Sequence, residues 1–170
     1  MDPASDITIP EFLRRLDAAW SDLVADIAGY TDAQMTGPTD AAGWTVKDHA
    51  AHLFVWLDGM NAVLTGAPRI PRMGLDEATW NSGDGDIINE AIRRQHQHRP
   101  LVSVMSDLRN AHNEFRGRVA ALSNTDLLRP YSDFQPGSPI TDPIVGRLAG
   151  NSFEHYAEHR PWMRAIVDVG

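Results

Sequence analysis

His155 and His159 stand four residues apart in Asn151-Ser152-Phe153-Glu154-His155-Tyr156-Ala157-Glu158-His159. On a helix that spacing points both imidazoles the same way, one turn apart. A third histidine, His52, lies far upstream in His49-Ala50-Ala51-His52-Leu53, a stretch that also reads as helix. Three imidazoles from two helices leave a metal ion with open positions for water or substrate, which is the form of a catalytic rather than a structural site. An imidazole shell selects zinc, nickel or a similar divalent transition ion over magnesium or calcium. Such an ion lowers the pKa of a bound water to about 7, or holds an external thiol as its thiolate, and presents either to an electrophilic carbon. The competing reading is a pair of amphipathic rings packed in a core and hydrogen-bonded to Ser152 or Tyr156. The matching neighbourhood of His52 favours metal.

Other residues are open to chemical and plain readings alike. His49 reads as a satisfied core histidine, a donor behind the ligands or an alternative ligand. His112 falls in a core register and, if it faces the same cavity, is a candidate general base, because a neutral imidazole titrates near working pH. His96 and His98 sit in a charged run, Arg93-Arg94-Gln95-His96-Gln97-His98-Arg99, which reads as a solvated helix end. Trp44, Trp56, Trp80 and Trp162 line either an apolar cavity or the core. Asp48 and Glu158 read as capping or surface acids.

The elements that must position these side chains are helices. Leu13, Leu16, Trp20, Leu23 and Ile27 repeat at steps of three and four between Pro10 and Ala28, with Gly29 as a stop. Thr45 caps a second helix, with Asp48 three residues on, that carries His49, Leu53, Trp56, Met60 and Val63 as far as Gly66. Residues 67–85 form a Pro/Gly-rich crossover with one helical turn near Asp76 to Trp80, long enough to act as a lid. Asp86 to His98 leads into a helix restarted by Pro100, with Leu101, Met105, Leu108, His112, Phe115, Val119 and Leu122 as its seam. After the turn-rich stretch from Ser123 to Ile140, Thr141-Asp142-Pro143 opens a last helix with seam Val145, Leu148, Ser152, His155, His159, Trp162 and Ile166. Pro161 is expected to kink it just after His159. Four long helices, two long crossovers and no convincing strand predict an all-α four-helix bundle forming a single domain over residues 1–170. The cavity is expected between the second and last helices, under the crossover that ends at Gly85.

Composition narrows the function. A net charge of -8 without a Lys/Arg stripe argues against nucleic acid as a partner. The absence of cysteine excludes disulfides, thiolate ligands and a cysteine nucleophile, so thiol chemistry needs a thiol from outside. No apolar run approaches the roughly 20 residues that span a bilayer, and the acidic, polar lead Met-Asp-Pro-Ala-Ser-Asp does not read as a signal peptide. A cytoplasmic protein with a small-molecule substrate and no membrane partner is the expectation.

Gly43-Trp44-Thr45-Val46-Lys47-Asp48 followed by Ala51-His52-Leu53 resembles the second-helix signature of the DinB-like superfamily of four-helix bundles. That resemblance implies a metal ligand at His52, eight residues after the tryptophan, and a late ligand pair at His155 and His159. It also implies a bundle that pairs as a homodimer. Leu57 stands after Trp56 where many such chains carry an acid. Asn89-Glu90-Ala91-Ile92, Arg99-Pro100-Leu101, Leu108-Arg109-Asn110-Ala111-His112, Leu122-Ser123 and Asn151-Ser152-Phe153-Glu154-His155-Tyr156 together resemble the ClbS/DfsB family, which includes self-resistance factors against reactive natural products. In that motif Tyr156 and Asn151 are candidates to orient substrate or a ligand. The resemblances imply hydrolytic detoxification of an electrophilic natural product, or alternatively a metal-dependent transferase or isomerase using a low-molecular-weight thiol of the mycothiol or bacillithiol type. A non-catalytic bundle that sequesters a small molecule is the reading from outside enzymology.

Overall fold

A computed structural model describes residues 7–169. The polar lead read as carrying no signal lies outside them. Helix α1 (Ile9–Ala28) starts where the Thr8 side chain accepts the Glu11 amide, with Pro10 in the first turn and Gly29 at the stop. Its core stripe takes Phe12 along with Leu16 and Leu23, while Leu13, Trp20 and Ile27 are only partly buried. A short α2 (Asp32–Thr36) follows, closed by a reciprocal cap between Thr31 and Gln34.

Helix α3 (Val46–Leu64) has the same kind of cap from Thr45 and Asp48. It is buried nearly all round, because α2 and four later elements, α4 (Arg69–Arg72), α6 (Gly85–His96), α7 (Leu101–Ala120) and α11 (Phe153–Val169), pack against it. A single apolar stripe is too narrow a description of this central helix, and even Lys47 is buried, its ammonium donating to the carbonyls of Gln97 and Arg99 at 2.7 and 3.0 Å. Helix α1 packs on α11 and α7, which closes a bundle of four long members.

The first crossover carries α4 and α5 (Glu77–Asn81), the latter capped by Asp76 at the turn the sequence marks. Arg69 fixes this crossover in place. The residue is 6% exposed, and its guanidinium carbon lies 5.3 and 5.1 Å from the ring centres of Trp56 and Trp80. It donates to Tyr131 Oη and Asn151 Oδ1 and pairs with no carboxylate among the described residues. Gly59 makes the approach feasible, since a Cβ there would stand 2.8 Å from Met73 Sδ.

Downstream, α8 (Asn124–Leu127) and α9 (Tyr131–Phe134) occupy the second crossover. The last helix departs from expectation in three ways. It is two helices, α10 (Ile144–Gly150) and α11, separated at Asn151 and Ser152, whose side chains bond back to the carbonyls of Arg147 and Leu148 and so compete with the helix ladder. Its cap is Pro143, without a side-chain bond from Thr141 or Asp142. Backbone pairing replaces that cap: Ile144 donates to the Arg129 carbonyl and Tyr131 to that of Asp142, each at 2.9 Å. Finally, its core seam takes Met163 in place of Trp162, which is 46% exposed, on a helix that carries Pro161 inside it as the sequence places it. Among the described residues there is no strand, and no helix is long and apolar enough to cross a membrane.

Candidate metal centre

Helix α3 turns His49 and His52 toward α11, and α11 turns His155 and His159 back. His52 Nε2 lies 2.9 Å from His155 Nε2. The rings of His52 and His159 are nearly parallel with centres 4.7 Å apart, and those of His155 and His159 stand edge to face at the same separation. One nitrogen from each of His52, His155 and His159 lies within 4.8 Å of the others, a group able to hold an ion. Tetrahedral zinc bonded at about 2.0 to 2.1 Å to each nitrogen sets them about 3.4 Å apart, so the widest-spaced rings need to close by roughly an ångström or more when the ion binds.

The electrostatics suit ligands. Burial holds His155 down at about 4. Burial, reinforced by the neighbouring imidazoles, puts His52 and His159 well below the ordinary histidine range. At neutral pH all three rings are therefore uncharged and carry a free lone pair. The buried Nδ1 atoms of His52 and His155 have no hydrogen-bond partner, so the contact between their Nε2 atoms leaves each ring half satisfied. Convergent neutral nitrogens with these orphaned atoms fit a divalent transition ion better than a finished core network.

His49 stands outside this group but touches it. Its Nδ1 is 2.9 Å from His159 Nδ1, and its Nε2 is 3.2 Å from Asp40 Oδ2. The four rings border a cavity of about 760 Å³ that is also lined by Asp40, Trp44, Asn89, Glu158 and Trp162. Trp44 meets His52 edge on and Trp162 meets His159 edge on. The cavity does lie between α3 and α11, but the crossover of residues 67–84 contributes nothing to its lining. Residues 39–44, between α2 and α3, border it instead. The expected lid is held elsewhere, by Arg69 and its contacts with Tyr131 and Asn151.

His112 and Tyr156 form a separate buried pair. His112 Nδ1 is 3.2 Å from Tyr156 Oη, and Trp20 stacks on the His112 ring at 3.9 Å. Burial lowers His112 to about 4 and raises the Tyr156 phenol far above its usual value. Neither residue lines the cavity, and Tyr156 leaves α11 on the core side while His155 leaves it on the cavity side. His96 packs against Phe54 and Arg99, and His98 is exposed. Asp48 caps α3, and Glu158 is an exposed residue lining the cavity. No motif singles out Asp40 in the sequence; its only signal there is an aspartate ahead of Gly43-Trp44, the mark of an ordered turn.

The fold recurs in solved structures of low sequence identity. An uncharacterised protein from Escherichia coli UTI89 superposes with a TM-score of 0.68 at 16% identity, over 95% of this chain and 93% of that one. A protein from Streptococcus pneumoniae gives 0.70 at 15% identity, over 94% and 90% of the two chains. An uncharacterised protein from Clostridium difficile 630 gives 0.70 at 17%, over 93% and 94%. No curated protein matches the sequence significantly. A family model does: residues 16–148 match the mycothiol maleylpyruvate isomerase N-terminal domain. With most of its length inside that match and an all-helical bundle around the histidines, the chain belongs to the mycothiol maleylpyruvate isomerase N-terminal domain family, within the DinB-like superfamily.

Proposed function

We propose that this protein is a metal-dependent enzyme that joins an external thiol to an electrophilic small molecule or isomerises such an adduct, with His52, His155 and His159 holding a zinc or nickel ion. The observation that carries this reading is the convergence of three uncharged imidazoles from two helices, His52 and His159 buried and His155 half-buried, beside a cavity of about 760 Å³. When bound, the ion supplies Lewis acidity that makes a thiol or water nucleophilic near neutral pH. The protein's part is to offer lone pairs without first losing protons and to keep solvent from the buried rings. Trp44 and Trp162 give the substrate flat apolar walls. The family supports thiol chemistry, and a chain without cysteine must take its thiol from solution.

The lining also indicates what enters. Asp40 and Glu158 are acidic, and no lysine or arginine is among the lining residues, so the bound ion would be the cavity's one positive group. With a thiol or water at the ion's open positions, an uncharged apolar electrophile suits the rest of the cavity best. A lining without a basic side chain to hold the remote carboxylates of an acidic thiol favours, as a second reading, hydrolytic detoxification of an electrophilic natural product of the kind implied by the ClbS/DfsB resemblance.

Zinc- or nickel-loaded protein, prepared without a histidine tag, is incubated with monochlorobimane or an aryl epoxide, with and without cysteinyl-glucosamine thiols, and the products are weighed by mass spectrometry. Metal-dependent thioether formation supports the first reading, and a metal-dependent water adduct the second. Recovery of every probe unchanged but bound would overturn both in favour of sequestration.

A further inference from the structure

Of the three clustered ligand candidates, only His159 has a protein partner at its second ring nitrogen. That partner is His49, and behind His49 stands Asp40. Asp40 is held by a built turn: its Oδ1 accepts the amides of Ala42 and Trp44, each at 2.9 Å, its own amide donates to the Trp44 carbonyl, and Gly43 completes the turn at φ +85°. Oδ1 is fully used, and Oδ2 is left facing His49 Nε2.

Donor counting then fixes the chain of protons. A carboxylate only accepts, so His49 Nε2 carries the hydrogen. A neutral His49 has a lone pair at Nδ1 and must accept there, so the 2.9 Å contact requires His159 Nδ1 to carry its own hydrogen. His159 Nε2 is then the unprotonated atom. We infer that Asp40 is a positioning residue for the metal centre, acting through His49 to hold His159 as the Nδ1–H tautomer with Nε2 as its donor atom. The inference rests on the metal-binding reading for its purpose, while the tautomers themselves are a property of the metal-free chain. His49 is accordingly a relay and not a fourth ligand, and the segment of residues 39–44 that borders the cavity also sets the ligand chemistry beneath it.

The test is long-range proton–nitrogen correlation NMR on metal-free protein, which distinguishes the two tautomers of each ring, combined with zinc affinity by chelator competition. The expected spectrum shows His49 protonated at Nε2 and His159 at Nδ1. In Asp40→Asn the amide oxygen keeps the bonds to Ala42 and Trp44, and the new NH2 faces His49 and forces its Nε2 to accept. Both rings should then invert, leaving a hydrogen on His159 Nε2, and zinc affinity should fall by about 10- to 100-fold. If Asp40→Asn does not fold, His49→Phe carries the test: with no acceptor at Nδ1, an Nε2–H population of His159 should appear. A wild-type His159 protonated at Nε2, or rings unchanged in Asp40→Asn, overturns the relay. Complete loss of zinc in His49→Phe, equal to that in His52→Ala, overturns it in favour of direct ligation. The expected tautomers in a protein that takes up no metal would uphold the relay and defeat the proposed function instead.

Discussion

His52 and His155 meet nitrogen to nitrogen at 2.9 Å, and behind each contact atom lies a buried Nδ1 with nothing to bond. Two neutral imidazoles can share one hydrogen across such a gap, but whichever ring donates, two polar atoms remain unsatisfied. An ion reached by both Nε2 atoms would take two lone pairs at once and remove the shared hydrogen, leaving the two Nδ1–H groups as they are. The pair thus offers a ligand two nitrogens held only by each other, and the variants below follow from that arrangement.

His52→Ala, His155→Ala and His159→Ala should each reduce bound metal to background in elemental analysis of untagged protein. The helices are stabilised by apolar packing, so circular dichroism should keep its helical amplitude, with a stability change within about 2 kcal/mol. Full metal content in all three variants would remove the centre.

Tyr156→Phe should behave in the opposite way. It deprives His112 Nδ1 of its 3.2 Å partner inside the core and should lower stability by about 1 to 2 kcal/mol. Metal content should be unchanged, since Tyr156 does not line the cavity. Loss of metal in this variant would link the two sites.

Acid should unfold the bundle through its histidines. His112 is held at about 4, against 6.5 for a free ring, so between those values the unfolded chain binds more protons than the folded one. Stability from this group is fully present above about 6.5 and is lost as pH falls toward 4, on the order of 3 kcal/mol in all. His112→Gln should flatten the corresponding part of a urea-midpoint against pH curve. An unchanged slope would show that His112 does not contribute.

Trp162→Ala should weaken binding of an uncharged aromatic probe by about tenfold, equivalent to about 1.4 kcal/mol, with little effect on the melting temperature, because the ring is 46% exposed but borders the cavity. Fluorescence titration reads the first effect and calorimetry the second. Equal affinity in both proteins would place the ligand elsewhere.

Gly59→Ala should cost about 1 to 3 kcal/mol, since its methyl group would press on Met73 Sδ and on Arg69 Nε 3.1 Å away. An unchanged urea midpoint would show that the crossover yields freely.

The helices and the histidine grouping were legible because both are periodic. Apolar steps of three and four mark α1, α3 and α7, and the same arithmetic puts His155 and His159 on one face. The break before α11 is local, Asn151 and Ser152 bonding back over one turn, but an unbroken seam of apolar and histidine positions conceals it. The other hidden features depend on contacts between distant segments, the missing side-chain cap at α10 arising from a pairing with residues 129–131. The long crossover looked like a lid on length alone, and nothing local to it reveals that Arg69 would find Tyr131 and Asn151. Asp40 was readable as a turn residue, but its second oxygen acquires meaning only when α11 brings His159 against His49.

Arg69 also changes how the molecule should come apart. If its segment lifts, the guanidinium leaves both indoles and the contacts joining both crossovers to the α10–α11 junction are lost, and the buried Met73 and Leu75 of the same crossover would be bared to water. The first crossover then has no low-energy opening of its own. Its amide hydrogens around α4 should exchange only with the global transition, and a protease that finds most long connections easy to nick should find this one closed until the whole bundle opens.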